Sequence, residues 1–167
     1  SLEWAIGSIG GFCVGSSFVI EHQRLSGLGY CFSASLPPLL TAAAITAIDI
    51  IEQEANILLA KLKQNCLDLQ NHLTKLEHFE LSASPQSPVK HLFLKLKQSR
   101  HIEFQLLKRI SDKCTDENLA IVTTVYLNAE SQLPRPSLRL CVSAAFEQSD
   151  LLFAVETLQK LSRSMLS

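Results

Sequence analysis

The stretch that indicates the fold most strongly is residues 10–38, which read GGFCVGSSFVIEHQRLSGLGYCFSASLPP. Because glycine lets another backbone approach closely, the pair Gly10-Gly11 and its apolar neighbours predict a short buried strand from Ile9 to Val14. Proline is tolerated in the first turn of a helix, so Pro37-Pro38 predicts the start of a helix. Residues 10–38 therefore indicate an α/β domain whose chain passes into a helix at the prolines.

Two shorter elements are predicted between the glycine pair and the proline pair. Ser16-Ser17 can cap a short helix through about Leu25, and Tyr30 to Ser33 is predicted to be extended. Beyond the prolines, apolar spacing close to the helical period indicates a helix to about Glu54, with a second helix or kinked continuation from Asn56 to Leu76. Such a length suits an arm between two lobes.

The charge along the chain is strongly asymmetric. Only Glu3, Glu21 and Arg24 are charged within residues 1–48, whereas the remaining residues carry the other charges of the 15 basic and 16 acidic side chains. A membrane span needs about 20 apolar residues, and Pro37-Pro38 interrupts the uncharged run. The N-terminal third is therefore expected to be buried in a folded core or a subunit interface, as part of a larger domain.

The second half is predicted to be a small α+β layer with helices packed on a sheet. Alternating and β-branched runs predict the strands, and apolar stripes at helical spacing predict the helices. The predicted strands are 79–82, 89–96, 119–127 and 137–145, and the predicted helices are 101–114 and one beginning near Glu147 or Ser149. The domain boundaries follow as 1–38, 39–76 and 77–167.

Composition excludes several classes of function. A net charge of -1 gives no electrostatic reason to expect nucleic acid. The five cysteines are dispersed, which argues against a secreted disulfide framework. The five histidines show no metal-ligand spacing, so no metal is expected. Neither a nucleophile elbow nor a P-loop is present.

Two features could bind an anion. Ser33-Ala34-Ser35 precedes the helix at the prolines, where hydroxyls and free backbone N–H groups either bind an anion or simply cap the helix. Arg139 is a lone cation within an apolar strand, and such a residue either pairs with a carboxylate or points to solvent from an edge. Residue patterns alone leave both alternatives open.

Three sequence stretches make the chain resemble a known family. They are Gly10-Gly11-Phe12-Cys13, the run Glu21–Ser26, and residues 29–38; the strand 137–145 extends the likeness. Together they resemble the first long-chain-base subunits of serine palmitoyltransferase, within the α-oxoamine synthase family. The resemblance implies the aminotransferase-like fold type I of pyridoxal-phosphate enzymes. The chain would then comprise the end of the large domain, a connecting helix and the small C-terminal domain.

The most informative residue in this comparison is Trp4. In catalytic members of the family, a lysine six residues before the glycine pair forms a Schiff base with the cofactor, and Trp4 stands at that position. Tryptophan has no amine and forms no imine. The resemblance thus implies a subunit without a catalytic residue of its own, whose catalytic partner, the second long-chain-base subunit, binds pyridoxal 5'-phosphate covalently.

The resemblance also carries over two site assignments. Ser33 and Ser35 match a hydroxyl segment that approaches the cofactor phosphate of the neighbouring subunit. Arg139 aligns with the arginine that holds the amino-acid carboxylate, either as a binding residue or as a relic. Phe146 departs from the family pattern, because a histidine usually follows Ser-Ala-Ala.

The implied function is support of the condensation of L-serine with palmitoyl-CoA to 3-ketosphinganine, the first step of sphingolipid biosynthesis. Small regulatory membrane subunits and the cytosolic face of the endoplasmic reticulum membrane are implied as partners and location. Two alternatives remain: a self-sufficient α-oxoamine synthase-like enzyme, and an interaction-only homologue.

Overall fold

A computed structural model describes residues 1–3, 6–127 and 132–166. These residues divide into two compact units, Ser1–Asn56 and Ile57–Ser167. In the described parts of both units, no helix combines the length and the apolar character needed to span a bilayer.

The first unit is helical. Helix α1 spans Ser17–Ser26, helix α2 spans Leu28–Cys31, and helix α3 spans Pro38–Leu73 and continues into the second unit. The helix after Ser16-Ser17 and the helix start at the prolines are thereby confirmed.

The prediction that Tyr30 to Ser33 is extended is wrong. The backbone N–H groups of Tyr30 and Cys31 both donate to the Gly27 carbonyl, at 3.0 and 2.8 Å, and so form the turn of α2. Local backbone hydrogen bonds therefore override the apolar, β-favouring side chains of this segment.

The prediction of a buried strand from Ile9 to Val14 is also wrong. The residues have no regular secondary structure, and Ile9, Phe12 and Val14 are largely exposed. A strand requires a hydrogen-bonded neighbour, and the described residues of this unit contain no second strand. An apolar run alone cannot supply that neighbour.

Helix α3 is continuous over 36 residues, so the helix expected from residue 39 has neither a break nor a second start within that span. It ends at Leu73, three residues before the expected end at Leu76. The N–H groups of Lys75 and Leu76 donate instead to the carbonyls of His72 and Leu73, which form a tighter turn.

The second unit contains a four-stranded antiparallel sheet of order β1-β2-β4-β3. Its strands are β1 (Phe79–Ser82), β2 (Val89–Leu94), β3 (Val122–Thr123) and β4 (Leu138–Cys141). The third strand is much shorter than the expected 119–127, because only two of its residues pair with β4. The fourth ends before the expected residue 145, in a turn where the Ala145 N–H donates to Ser143 Oγ at 3.1 Å.

Helices α3, α4 (Arg100–Asp116) and α5 (Gln148–Leu166) supply the apolar side chains that pack with the sheet. The predicted face of β4 is confirmed: Leu138, Leu140 and Val142 are buried. The core is completed mainly by leucine side chains of the helices and of β2. Its fully buried members include Cys66, Leu73, Leu92, Leu107, Ile110, Cys114, Leu138 and Leu158.

A lysine is also buried in this core. Lys90 on β2 is fully shielded from solvent, and its Nζ donates to Gln70 Oε1 at 3.0 Å, Ser84 O at 3.0 Å and Pro85 O at 2.8 Å. Burial lowers the pKa of Lys90. Three acceptors satisfy all the donors of an ammonium group, so Lys90 joins α3 to the turn before β2.

Candidate functional site

The predicted arginine lies in the middle of the sheet. Arg139 on β4 is directly opposite His91 on β2 and Val122 on β3. It is half-buried, and it projects from the face opposite Leu138 and Leu140, because side chains alternate along a strand. The edge-strand alternative is therefore wrong: Arg139 has a paired strand on each side.

A hydrogen-bonded group of hydroxyls lies beside Arg139. Ser137 Oγ lies 2.9 Å from His91 Nδ1, and the Ser137 N–H donates to Thr124 Oγ1 at 3.1 Å. The Thr124 N–H in turn donates to the Ser137 carbonyl at 2.9 Å. These bonds fix the imidazole of His91 next to the guanidinium.

The electrostatics at His91 favour the neutral imidazole. Burial lowers the pKa of His91, and the positive charge of Arg139 lowers it further. A neutral imidazole beside a permanent guanidinium avoids a repulsive pair of cations. At neutral pH this face of the sheet therefore presents the cation of Arg139 beside an uncharged His91.

The segment that leads into β4 is held by an ion pair. Arg135 Nε donates to Glu103 Oε2 at 2.8 Å and Arg135 Nη2 donates to Glu103 Oε1 at 2.7 Å. The hydrogen bond from Arg135 holds the pKa of Glu103 below its ordinary value. The Arg135 guanidinium also lies over the Phe93 ring, 5.5 Å from its centroid. Arg135 thus positions the chain four residues before Arg139.

The segment after β4 is held by helix α3. Asn65 is buried, and its Nδ2 donates to the carbonyls of Ser143 and Phe146 at 3.0 and 2.9 Å. Phe146, the residue that departs from the family pattern, lines a mainly apolar cavity of about 460 Å³ with Leu140 and Leu151 among its other walls. Asn65 therefore fixes the turn that places this phenyl ring.

The predicted serines lie in the first unit. Ser33 Oγ donates to the carbonyl of Gly29 within α2, so its proton is used within its own chain. Ser35 is exposed in the segment before Pro38. Trp4 lies outside the described residues, and its assignment depends on sequence alone.

Clusters of metal-ligating side chains and the buried cysteines are further groups whose chemistry the structure bears on. In residues 1–3, 6–127 and 132–166, no three His, Cys, Asp or Glu side chains group closely enough to hold a metal ion. Burial raises the pKa of the Cys66 thiol, and it raises that of Cys114 to about 11. These two buried thiols are therefore protonated at neutral pH and poor nucleophiles.

Sequence reasoning singled out Arg139, Ser33 and Ser35, but missed His91, Glu103 and Asn65. His91 carried one signal, since it occupies an outward position in the alternating run of β2. Glu103 and Asn65 look like ordinary polar residues of amphipathic helices. Only their partners, 32 and at least 78 positions away, reveal their roles.

Comparison with known proteins identifies a matching family and several similar proteins. The profile of the family described as Aminotransferase class I and II matches residues 5–158. The chain is 39% identical over 166 residues to "Long chain base biosynthesis protein 1" of Arabidopsis thaliana, covering 97% of this chain and 34% of that protein. It is 37% identical over 165 residues to "Serine palmitoyltransferase 1" of Dictyostelium discoideum. That match covers 94% of this chain and 34% of that protein.

A solved structure shares the fold. The serine palmitoyltransferase of Sphingomonas wittichii superposes with a TM-score of 0.76 at 21% identity, covering 98% of this chain and 39% of that one. This chain thus spans about a third of the length of the curated relatives that it matches.

Proposed function

Because the chain belongs to the class I and II aminotransferase family, we propose that it is part of a non-catalytic subunit of serine palmitoyltransferase. The family confirms the α/β fold class expected from the sequence, that of fold type I enzymes. The proposed role is to support the condensation of L-serine with palmitoyl-CoA to 3-ketosphinganine in a heterodimer.

One observation carries this proposal: two relatives that match nearly the whole chain, at 39% and 37% identity, carry names of long-chain-base biosynthesis and serine palmitoyltransferase. The match spans about a third of each relative, so the complete reaction is proposed for the assembled protein. The reaction requires pyridoxal 5'-phosphate, which acts as an electron sink when bound.

The residues present fit only part of what this cofactor needs. A covalent bond to it requires a lysine amine, and the sequence has no lysine before Lys61, with Trp4 at the position of the family lysine. Ser33 commits its hydroxyl proton to Gly29, which leaves the exposed Ser35 as the better donor to a phosphate. The chain's own residues fit a supporting contact, and the covalent bond is assigned to the catalytic partner.

The same proposal includes the second long-chain-base subunit as the catalytic partner, with small regulatory membrane subunits. It also places the complex at the cytosolic face of the endoplasmic reticulum membrane. These assignments rest on the family resemblance alone.

The proposal is tested by expressing the full-length protein with and without a catalytic long-chain-base subunit. We expect formation of 3-ketosphinganine from labelled serine only when both are present. In parallel, the complex is treated with pyridoxal phosphate, reduced with borohydride and mapped by mass spectrometry. The stoichiometric adduct should lie on a lysine of the partner.

Each alternative has its own result. Activity of this protein alone, with an adduct on one of its own lysines, would establish the self-sufficient enzyme. Full activity of the partner without this protein would establish the other alternative, an interaction-only homologue.

A further inference from the structure

An apolar cavity of about 460 Å³ lies between α5, the end of β4 and the loop that follows α4. Its walls include Leu140 of β4 and Leu151 of α5, which belong to the hydrophobic core. The cavity therefore lies on the helix-covered side of the sheet, whereas Arg139 projects from the other side. Its volume is within the roughly 300–1,000 Å³ typical of sites for small molecules.

The interior of this cavity suits a hydrocarbon chain. Most of its lining side chains are apolar, and they come from α3, from the loop before β3, from β4 and from α5. The deepest of them are buried: Leu69, Ile121, Leu140 and Leu151. A chain that enters the cavity exchanges contact with water for contact with these side chains, which is favourable because apolar surface is removed from water.

One charge stands at the edge of this apolar lining. Among the described residues that line the cavity, Asp150 is the one charged side chain, and Asn118 and Cys141 are its neutral polar companions. Asp150 is exposed, and its Oδ2 accepts a hydrogen bond from the Glu147 N–H at 2.8 Å. The carboxylate thus closes the first turn of α5 and still has its second oxygen for a ligand.

Neighbouring acids are neutralised, but Asp150 is not. Glu147 pairs with Lys61 at 2.6 Å, and Glu117 pairs with Lys160 at 2.8 Å. No ion pair of residues 1–3, 6–127 and 132–166 includes Asp150. The N-terminus of α5 offsets part of the carboxylate charge, since a helix end carries about half a positive charge. A net negative charge therefore remains at the cavity.

Two aromatic rings share the cavity with this carboxylate. Phe146 and Phe153 both line it, and they are 37% and 46% exposed. Asp150 and Phe153 are three positions apart in α5, so they lie on one face of the helix. The face of an aromatic ring attracts a cation, as a carboxylate does. The rings and the carboxylate therefore favour the same kind of ligand group, a positively charged nitrogen.

We propose that this cavity binds an alkylammonium ion, whose hydrocarbon chain occupies the apolar interior and whose charged nitrogen lies beside Asp150, Phe146 and Phe153. The proposal goes beyond the proposed function, because it requires neither a cofactor nor a reaction nor the catalytic partner. An alkyl carboxylate of equal length would place its negative charge beside Asp150 and be repelled. A neutral alcohol would gain the apolar contacts but no attraction to the carboxylate.

The test uses hydrogen–deuterium exchange of the full-length protein within its complex, resolved by mass spectrometry, with octylammonium as the probe. A ligand that binds the closed state suppresses local opening. We expect octylammonium to slow amide exchange in residues 118–121 and 148–154 at least about fivefold. Octanoate at the same concentration should slow it less than about twofold, and octanol should fall between the two. Strand β1, which does not line the cavity, is the internal control.

Three variants separate charge from space. Asp150→Asn keeps an acceptor for the Glu147 N–H but loses the charge, so protection by octylammonium should fall to that by octanol. Ala154→Leu fills part of the cavity with a residue that suits a helix, so protection by all three probes should disappear. Asp112→Asn removes a charge of the same kind from the exposed face of α4, where it pairs with Lys108, and should leave protection unchanged.

Three results would overturn the inference. They are exchange that octylammonium does not slow, octanoate protecting as well as octylammonium, or octylammonium protection that Asp150→Asn leaves unchanged. Exchange without a probe shows whether Ala154→Leu keeps the fold, and Asp150→Asn tests the charge independently of that variant. None of these readouts depends on activity, so failure here is distinct from failure of the proposed function.

Discussion

Arg135 donates two hydrogen bonds to the carboxylate of Glu103, from Nε to Oε2 at 2.8 Å and from Nη2 to Oε1 at 2.7 Å. Glu103 is buried, with only 2% of its surface exposed. The backbone N–H of Gln98 also donates to Oε1, at 3.0 Å. A buried carboxylate is costly unless its oxygens are satisfied. This pair ties the first turn of α4 to the chain that enters β4.

Glu103→Gln should therefore destabilise the protein. It removes the charge that Arg135 faces while keeping the side-chain shape, and breaking a buried pair costs about 3–5 kcal/mol. Since the Arg135 side chain is 28% exposed, we expect the lower end, about 3 kcal/mol, by urea unfolding. Glu117→Gln, which breaks the exposed pair with Lys160, is the matched control and should cost under about 1 kcal/mol. Equal losses would contradict a special role for the buried pair.

The same pair predicts a pH dependence. The folded state holds the pKa of Glu103 below its ordinary value of 4.5. Its contribution to stability is therefore fully present above that ordinary value and is lost as the pH falls through the folded pKa. Melting temperatures of the wild type should fall more steeply in acid than those of Glu103→Gln. Parallel curves would show that Glu103 titrates normally.

Lys90→Met should loosen the turn before β2. The substitution keeps the apolar stem but leaves the carbonyls of Ser84 and Pro85 without the ammonium donor. A hydrogen bond from a charged group contributes about 1.5–3 kcal/mol. We expect the free energy of unfolding to fall by that amount, with faster amide exchange around residues 84–89. Lys63→Met, on the exposed face of α3, is the control and should leave both unchanged.

A bulky side chain at Ser35 should impair the assembled enzyme. If this hydroxyl reaches the partner's cofactor phosphate, Ser35→Trp removes a hydrogen bond to a charged group, worth about 1.5–3 kcal/mol. We expect activity of the complex to fall at least about tenfold, and Ser33→Trp to impair it as well, with complex formation intact by size-exclusion chromatography. Ser26→Trp, at another exposed serine, is the control. Wild-type kinetics for both Ser33→Trp and Ser35→Trp would show that this segment does not contact the partner's cofactor.

Limited proteolysis of the 167-residue chain should cut first before about residue 40. Large apolar side chains are widely exposed there, including Phe18 at 81%, Leu25 at 85% and Phe32 at 84%. The second unit has a continuous apolar core, so a C-terminal product should persist. Contiguous apolar surface of this kind marks interfaces or aggregation. A cooperative monomeric melt with uniform resistance from Ser1 onward would refute the prediction.

Local sequence determined most helices and the first two strands of the sheet. Periodic apolar spacing is a property of neighbouring residues, so α3, α4 and α5 could be predicted within a few positions, as could β1 and β2. Strands depend on partners elsewhere in the chain. For this reason Ile9 to Val14 formed no strand, and β3 shrank to Val122–Thr123.

For the candidate site, the sequence by itself determined that Arg139 is a cation placed in an apolar strand, that Trp4 has no amine, and which family the chain belongs to. These follow from residue identity and spacing. Only the tertiary structure decided that His91 faces Arg139, that Arg135 pairs with Glu103, and that Asn65 holds the turn at Phe146. The reason is physical: strand register and helix packing join residues tens of positions apart, and no local pattern records which of them meet.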